Sequence, residues 1–244
     1  IRSVSIESAS HPDIPSNQRL IVALDVPDAD AARTLVEELG NVVEFYKIGL
    51  ELSASGGYFE LLDWLINRDK RVFADLKFYD VPATVAAAVR QISGRGASFL
   101  TVHGDKSIME AAVSEKSRLQ ILAVTVLTSM DSKDLRQMGI ELDVQSLVLE
   151  RAKLAMAAGC DGVIASGLEA ASLRETLGLG PVIVTPGIRP ASKRSRDDQK
   201  RIVTPSQAFE NGASYIVVGR PIRNAPNPRQ IAETIQAEIA SALQ

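Results

Sequence analysis

The sequence holds one cysteine, two histidines and one tryptophan in 244 residues. A lone cysteine, Cys160, allows no internal disulfide and fits a reducing compartment; beside Gly159, after an alanine-rich run, it reads as a small core residue. Two histidines and one cysteine far apart in sequence make a poor ligand set for a transition metal. Basic residues are not in excess either: 27 Lys and Arg against 30 Asp and Glu leave a formal charge of -3, which provides no field to hold nucleic acid. No apolar run approaches the roughly 18 residues of a membrane span, and the first residues lack a signal-peptide apolar core. The expectation is a cytoplasmic protein that partners neither nucleic acid nor membrane.

What is present is an ordinary globular composition, 45% hydrophobic and 23% charged, at a length that suits one large domain. Residues 1–19 are rich in serine and proline without a sustained period and read as a flexible arm, with His11 solvated in it. From Leu20 the chain alternates strand and helix. Strands are expected at 20–25, 43–49, 71–77, 98–103, 119–127, 162–165, 182–185 and 215–219. Amphipathic helical patterns follow at 29–39, 58–68, 83–93, 107–116, 144–158, 169–177, a short turn at 206–210, and 228–243. Near-continuous apolar strands such as LIVAL and ILAVTVL predict a parallel sheet covered by helices. Eight strand-helix units predict a single-domain (β/α)8 TIM barrel over residues 20–244. A doubly wound open sheet is the alternative, but it calls for a G-x-G-x-x-G turn after the first strand, and here that strand ends in Asp25-Val26-Pro27-Asp28.

In such a barrel the site is built at the C-terminal ends of the strands. Polar residues there include Asp25, Lys47, Asp75, Lys77, His103, Thr125, Thr128, Ser166, Thr185 and Arg220, whereas the opposite ends, such as Leu20, Val43 and Arg71, offer little chemistry. The densest stretch is RVFADLKFYDVPAT at 71–84, with Asp75, Lys77 and Asp80 spaced D-x-K-x-x-D. Residues two apart on a strand share a face, so Asp75 and Lys77 point the same way, and a loop can carry Asp80 back over them. The plain alternative for the three residues alone is an ion pair trimming a strand end. After strand seven, PGIRPASKRSRDDQKRIVT at 186–204 is rich in charge, shows no apolar face, and has the length of a lid; its plain alternative is a solvated surface loop. Strand eight ends in Val218-Gly219-Arg220-Pro221, where glycine admits close approach of an anion and the guanidinium can clamp it. The segment 130–143 after strand five carries an irregular helical turn with no assigned role.

These positions together resemble the orotidine 5′-monophosphate decarboxylase family over nearly the whole chain, from Ile21 to Leu243. The motifs are ALD at 23–25, YKIG at 46–49, DLKFYDVPAT at 75–84, AVTVLTSM at 123–130, TPGIRP at 185–190 and VVGRP at 217–221. The resemblance implies cofactor-free, metal-free conversion of orotidine 5′-monophosphate to uridine 5′-monophosphate (UMP) and CO2, the last step of pyrimidine synthesis. It implies that Asp25 and Lys47 contact the ribose, and that Lys47, Asp75, Lys77 and Asp80 form an alternating charge array in which Lys77 protonates C6. Asp80 and Thr84 would come from the second subunit of a homodimer. Thr128 and Ser129 match pyrimidine contacts; Arg189 begins the lid; Gln199, Gly219 and Arg220 match phosphate ligands. Two departures are visible: VHGDKS after strand four, which makes His103 a supporting residue, and a 189–199 stretch about one residue longer than in relatives. Rival readings are another phosphosugar enzyme of the superfamily, similar to 3-keto-gulonate-phosphate decarboxylases, and a non-catalytic nucleotide-binding barrel. A Mg²⁺-dependent member would draw on Glu44 or Glu51.

Overall fold

Strands covered on both faces need two apolar sets, and the strands of this chain carry them. In the computed structural model, residues 13–190 and 201–244 are described. Eight parallel strands, β1 (Leu20–Ala23), β2 (Phe45–Gly49), β3 (Arg71–Phe78), β4 (Phe99–Val102), β5 (Gln120–Val124), β6 (Gly162–Ile164), β7 (Val182–Thr185) and β8 (Tyr215–Val218), close in sequence order into a barrel. β8 hydrogen-bonds back to β1, with Leu20 beside Ile216 and Val22 beside Val218, so the open-sheet alternative falls.

Around the barrel lie α1 (Ala29–Leu39), α2 (Leu50–Ser55), α3 (Tyr58–Ile66), α4 (Pro82–Ser93), α5 (Lys106–Ser114), α6 (Ser132–Gln137), α7 (Val144–Ala157), α8 (Ala170–Leu177), α9 (Pro205–Glu210), α10 (Arg220–Arg223) and α11 (Pro228–Ala242). Several start where a polar side chain takes up an orphan amide: Asp28 accepts from Ala31, Asp105 from Ile108, Asp143 from Ser146 and Thr204 from Gln207. Such caps contribute about 1 kcal/mol each and mark where each strand exit turns into its helix. Among the described residues, no helix is long and apolar enough to cross a membrane.

The core divides in two. Outward residues such as Leu20, Val22, Tyr46, Ile48, Val72 and Leu100 pack against the helices. Inward residues form a separate cluster: Ile21, Ala23, Phe45, Phe73, Phe99, Leu122, Val184, Tyr215 and Val217 among them. At the N-terminal end this inner cluster is aromatic. The Phe99 ring lies 5.2 Å from Phe45 and Tyr215 and 5.9 Å from Phe73, and the Arg71 guanidinium sits 4.2 Å from the Phe45 centroid. The barrel interior is therefore plugged below, and the pocket lined by the strand exits lies above.

Several local expectations change, among them α10, a short helix at Arg220–Arg223 that had not been expected. The fifth strand is shorter than its apolar run, because Thr125, Val126 and Leu127 leave the sheet although the first two stay buried. The six-residue α2 was not expected: Leu50–Ser55 is too short to show a period, and it starts from Gly49 without a side-chain cap. The irregular turn within 130–143 is a regular helix, α6, opened by a reciprocal capping box of Asp131 and Asp134. The flexible arm expected over 1–19 extends too far. Residues 1–12, with His11, lie outside the described residues, but Arg19 is only 3% exposed and donates to Ile14 O and Ser214 O, while Asn17 bonds Glu44.

Candidate active site

A period of two takes each of the first three strands from apolar to charged as it rises. In β1 the inward positions are Ile21 and Ala23, and the next is Asp25; in β2 they are Phe45, Lys47 and Gly49; in β3, Phe73 and Asp75. Parallel register places Ala23 beside Lys47 and Gly49 beside Asp75, so the charges meet at one level above the aromatic plug. Lys47 Nζ lies 3.2 Å from Asp25 and 3.3 Å from Asp75, and Lys77 Nζ lies 2.9 Å from the other Asp75 oxygen. Thr101, the inward residue two past Phe99 on β4, donates its hydroxyl to Asp75 at 2.8 Å. The result is an alternating row, Asp25, Lys47, Asp75, Lys77, with each interior charge between opposite ones.

Burial is the largest single influence on both central groups, and both resist it. It pulls the Lys47 ammonium down, but Asp75 and Asp25 together more than offset it, so its pKa stands above the ordinary lysine value. It pushes the Asp75 carboxyl up, but Lys47, Lys77 and Thr101 outweigh it and hold the pKa below the ordinary carboxylate value. Both stay charged at neutral pH without any ligand. Gly49 has room for this contact: a methyl group there would lie 3.4 Å from Lys47 Nζ.

Lys77 reaches the row through an irregular backbone. Its φ of 48° is left-handed, a conformation that costs a non-glycine residue about 1–2 kcal/mol. Pairing with β4 shifts between Ala74 and Phe78, and the Lys77 amide donates to Thr101 Oγ1 instead of continuing the ladder. Thr101 thus holds both the carboxylate and the backbone of the lysine. It was not singled out in the sequence, although its inward parity on strand four was a usable signal.

Asp80 does not return over its own chain's site. Its carboxylate accepts from the adjacent Val81 amide, it makes no ion pair with a described residue, and it is exposed, as is Thr84 on α4. The physical reason is Pro82, which opens α4 directly after Val81 and sends the chain away from the pocket mouth. Among the described residues of one chain, Lys77 therefore has a single carboxylate neighbour, Asp75.

The far wall of the pocket is supplied by the other strand exits. Thr128 and Ser129 after β5, Arg189 after β7, and Gly219 and Arg220 after β8 all line it, as does Arg223, which the sequence reading did not single out. Gln199 lies outside the described residues. The loop after β7 is not apolar-free at its ends: Ile188 and Val203 are buried and pair as an isolated parallel bridge. Other rim residues face elsewhere. Thr125 and Thr185 are fully buried and follow the inward Val124 and Val184, so parity turns them outward; Ser166 caps its own turn through the Leu168 amide. His103 packs on Tyr79 at 5.5 Å, and burial, then Arg151 and Lys77, hold its pKa below the ordinary histidine value. Glu44 precedes β2 at the opposite end of the barrel and Glu51 is exposed on α2; neither lines the pocket.

Residues 18–235 match the family model described as Orotidine 5'-phosphate decarboxylase / HUMPS family. A protein of Methylococcus capsulatus named orotidine 5'-phosphate decarboxylase is 58% identical over 230 residues, covering 94% of this chain and 95% of that protein. One of Stenotrophomonas maltophilia with the same name is 56% identical, covering 93% and 95%. Among solved structures, orotidine 5'-phosphate decarboxylase from Lactobacillus acidophilus superposes with a TM-score of 0.80 at 34% identity, covering 91% of this chain and 99% of that one. A closed barrel with a charged row at its C-terminal mouth, matched along nearly its whole length, leads to one assignment: this chain belongs to the orotidine 5'-phosphate decarboxylase / HUMPS family.

Proposed function

We propose that the pocket decarboxylates orotidine 5′-monophosphate to UMP and CO2 without a cofactor, and that Lys77 delivers the proton. The observation that carries this reading is the row Asp25, Lys47, Asp75, Lys77 at the pocket floor. The bond from C6 to the carboxylate carbon breaks, CO2 leaves, and the electron pair stays on C6 in the ring plane, out of conjugation with the ring carbonyls. Fixed charge must then stabilise it. The Lys77 ammonium sits beside that pair and transfers a proton from Nζ to C6; the amine left behind regains a proton from solvent. Asp75, held anionic by Lys47 and Lys77, crowds the substrate carboxylate and disfavours the ground state relative to the transition state.

Asp25 and Lys47 hold the ribose, Thr128 and Ser129 the pyrimidine edge, and Arg189, Gln199, Gly219 and Arg220 the phosphate. Binding energy gathered at the phosphate then favours the reactive geometry at C6. A second copy of the chain supplies Asp80 and Thr84 to complete the array in a homodimer. This is supported by the exposure of both residues and by Tyr79 and Val81 beside Asp80, apolar side chains 70% and 62% exposed. The test is incubation with orotidine 5′-monophosphate in buffer containing EDTA. Stoichiometric UMP and CO2 are expected; no CO2 from folded protein would contradict the reading, and activity abolished by EDTA would return the metal-dependent rival.

A further inference from the structure

Three strand exits converge on one buried side chain that the reaction does not use. Arg201, 9% exposed, is where the chain returns from the loop after β7. Its guanidinium pairs with Glu169 at the head of α8, and its Nη2 donates to Val126 O at 2.9 Å and Leu127 O at 3.0 Å. Val126 and Leu127 lead directly into Thr128 and Ser129 on the pocket wall. Two residues after Arg201, Val203 bridges Ile188 and accepts from the Arg189 amide at 3.0 Å, which fixes the start of the same loop. Val203 also presses on the turn that carries Glu169: a methyl group at Gly167 would overlap Val203 Cγ2 and lie 3.3 Å from Thr185 Cγ2.

The pair is poorly built for stability. Among the described residues, one carboxylate oxygen of Glu169, which is 5% exposed, is buried without a hydrogen-bond partner, and Arg201 Nε is buried in the same condition. Desolvating two charges while leaving an atom of each unsatisfied gains little over apolar packing, whereas a guanidinium fork fixed on one carboxylate and two carbonyls defines geometry. We propose that Arg201 and Glu169 are positioning residues that lock the exits of β5, β6 and β7 together, and so set the placement of Thr128, Ser129 and Arg189 against the nucleotide. The inference rests on the proposed function. It separates the molecule into a reacting half on β1 to β4 and a gripping half whose geometry this pair controls.

The experiment measures kcat and KM for orotidine 5′-monophosphate, the Kd of UMP and the Tm for wild type, Arg201→Met, Glu169→Gln and Gly167→Ala. Arg201→Met and Gly167→Ala are expected to raise the UMP Kd and lower kcat/KM by on the order of tenfold or more, because misplaced grips weaken binding and forfeit part of the phosphate binding energy that favours the reactive geometry. Glu169→Gln keeps an acceptor for the guanidinium and is expected to recover most of the wild-type Kd. A purely structural pair would lower Tm and leave Kd unchanged, and that result in either folded variant overturns the proposal. Gly167→Ala keeps both charges in place and decides the matter if Arg201→Met does not fold. A wild type that binds UMP without turnover contradicts the proposed function instead, and the Kd comparison still tests the pair.

Discussion

The two ends of this barrel hold cations on the same strands and treat them differently. Arg71 opens β3 at the N-terminal end and rests against Phe45, Phe99 and Tyr215, with neutral hydrogen-bond acceptors on Gln18 and Tyr215. Lys77 lies near the other end of β3 and meets Asp75, while Lys47 on β2 meets Asp25 and Asp75. Below, ring faces and neutral oxygens satisfy the cation, and aromatic side chains fill the space around it. Above, formal carboxylates satisfy the cations, and space is kept over them. A cation matched by π faces stiffens the barrel; a cation matched by a carboxylate that can be crowded by a second anion is able to do chemistry. The difference predicts which measurements respond to each end.

Lys77→Ala should give the largest effect and confine it to the upper end: a fall in kcat of at least about a thousandfold, near 4 kcal/mol, with Tm and UMP affinity close to wild type. Unchanged turnover in that variant breaks the contrast at once. Phe99→Ala, at the centre of the plug, should cost about 3–5 kcal/mol in denaturant unfolding, while the folded fraction keeps its KM within a few-fold. A comparable loss of kcat with full stability would show that the plug participates in the reaction. Arg71→Met should lower stability by about 1–2 kcal/mol, by loss of ring contacts, with kcat/KM per folded molecule within about twofold.

The smallest effect concerns pH. The lowered pKa of Asp75 means that its contribution is present above the ordinary carboxylate value and lost as pH falls through the lowered one; the raised pKa of Lys47 means that its contribution is present below the ordinary lysine value and lost as pH rises through the raised one. The stability difference between wild type and Asp75→Asn should therefore stay constant from about pH 5 to about pH 9 in denaturation curves. A difference that shrinks between pH 8 and pH 6 would show that the row is not held by its internal pairs.

The upper end was legible because its chemistry follows the strand period. Asp25, Lys47 and Asp75 each sit two residues past an apolar inward neighbour, so parity and the eight-fold alternation together placed them, whereas Lys77, two further, joins the row across a register shift. Thr101 obeys the same parity but hides among apolar neighbours as a single hydroxyl. Thr125 and Thr185 have the opposite parity, which is why polar character at a strand end was a poor guide for them. Arg201 was illegible for a different reason: it lies in a stretch dense in Lys, Arg and Asp where no period distinguishes a buried guanidinium from a solvated one. Asp80 shows the limit of reading by spacing, since D-x-K-x-x-D carries no information about how Pro82 turns the following chain away from the pocket mouth.

The central claim is that Lys77, paired with Asp75, faces the reacting carbon. The most direct test is a crystal structure of the protein with UMP bound. The account predicts Lys77 Nζ within about 4 Å of C6 and still within ion-pair distance of Asp75. A Lys77 side chain turned out to bulk water, away from every carboxylate with the nucleotide in place, would contradict it.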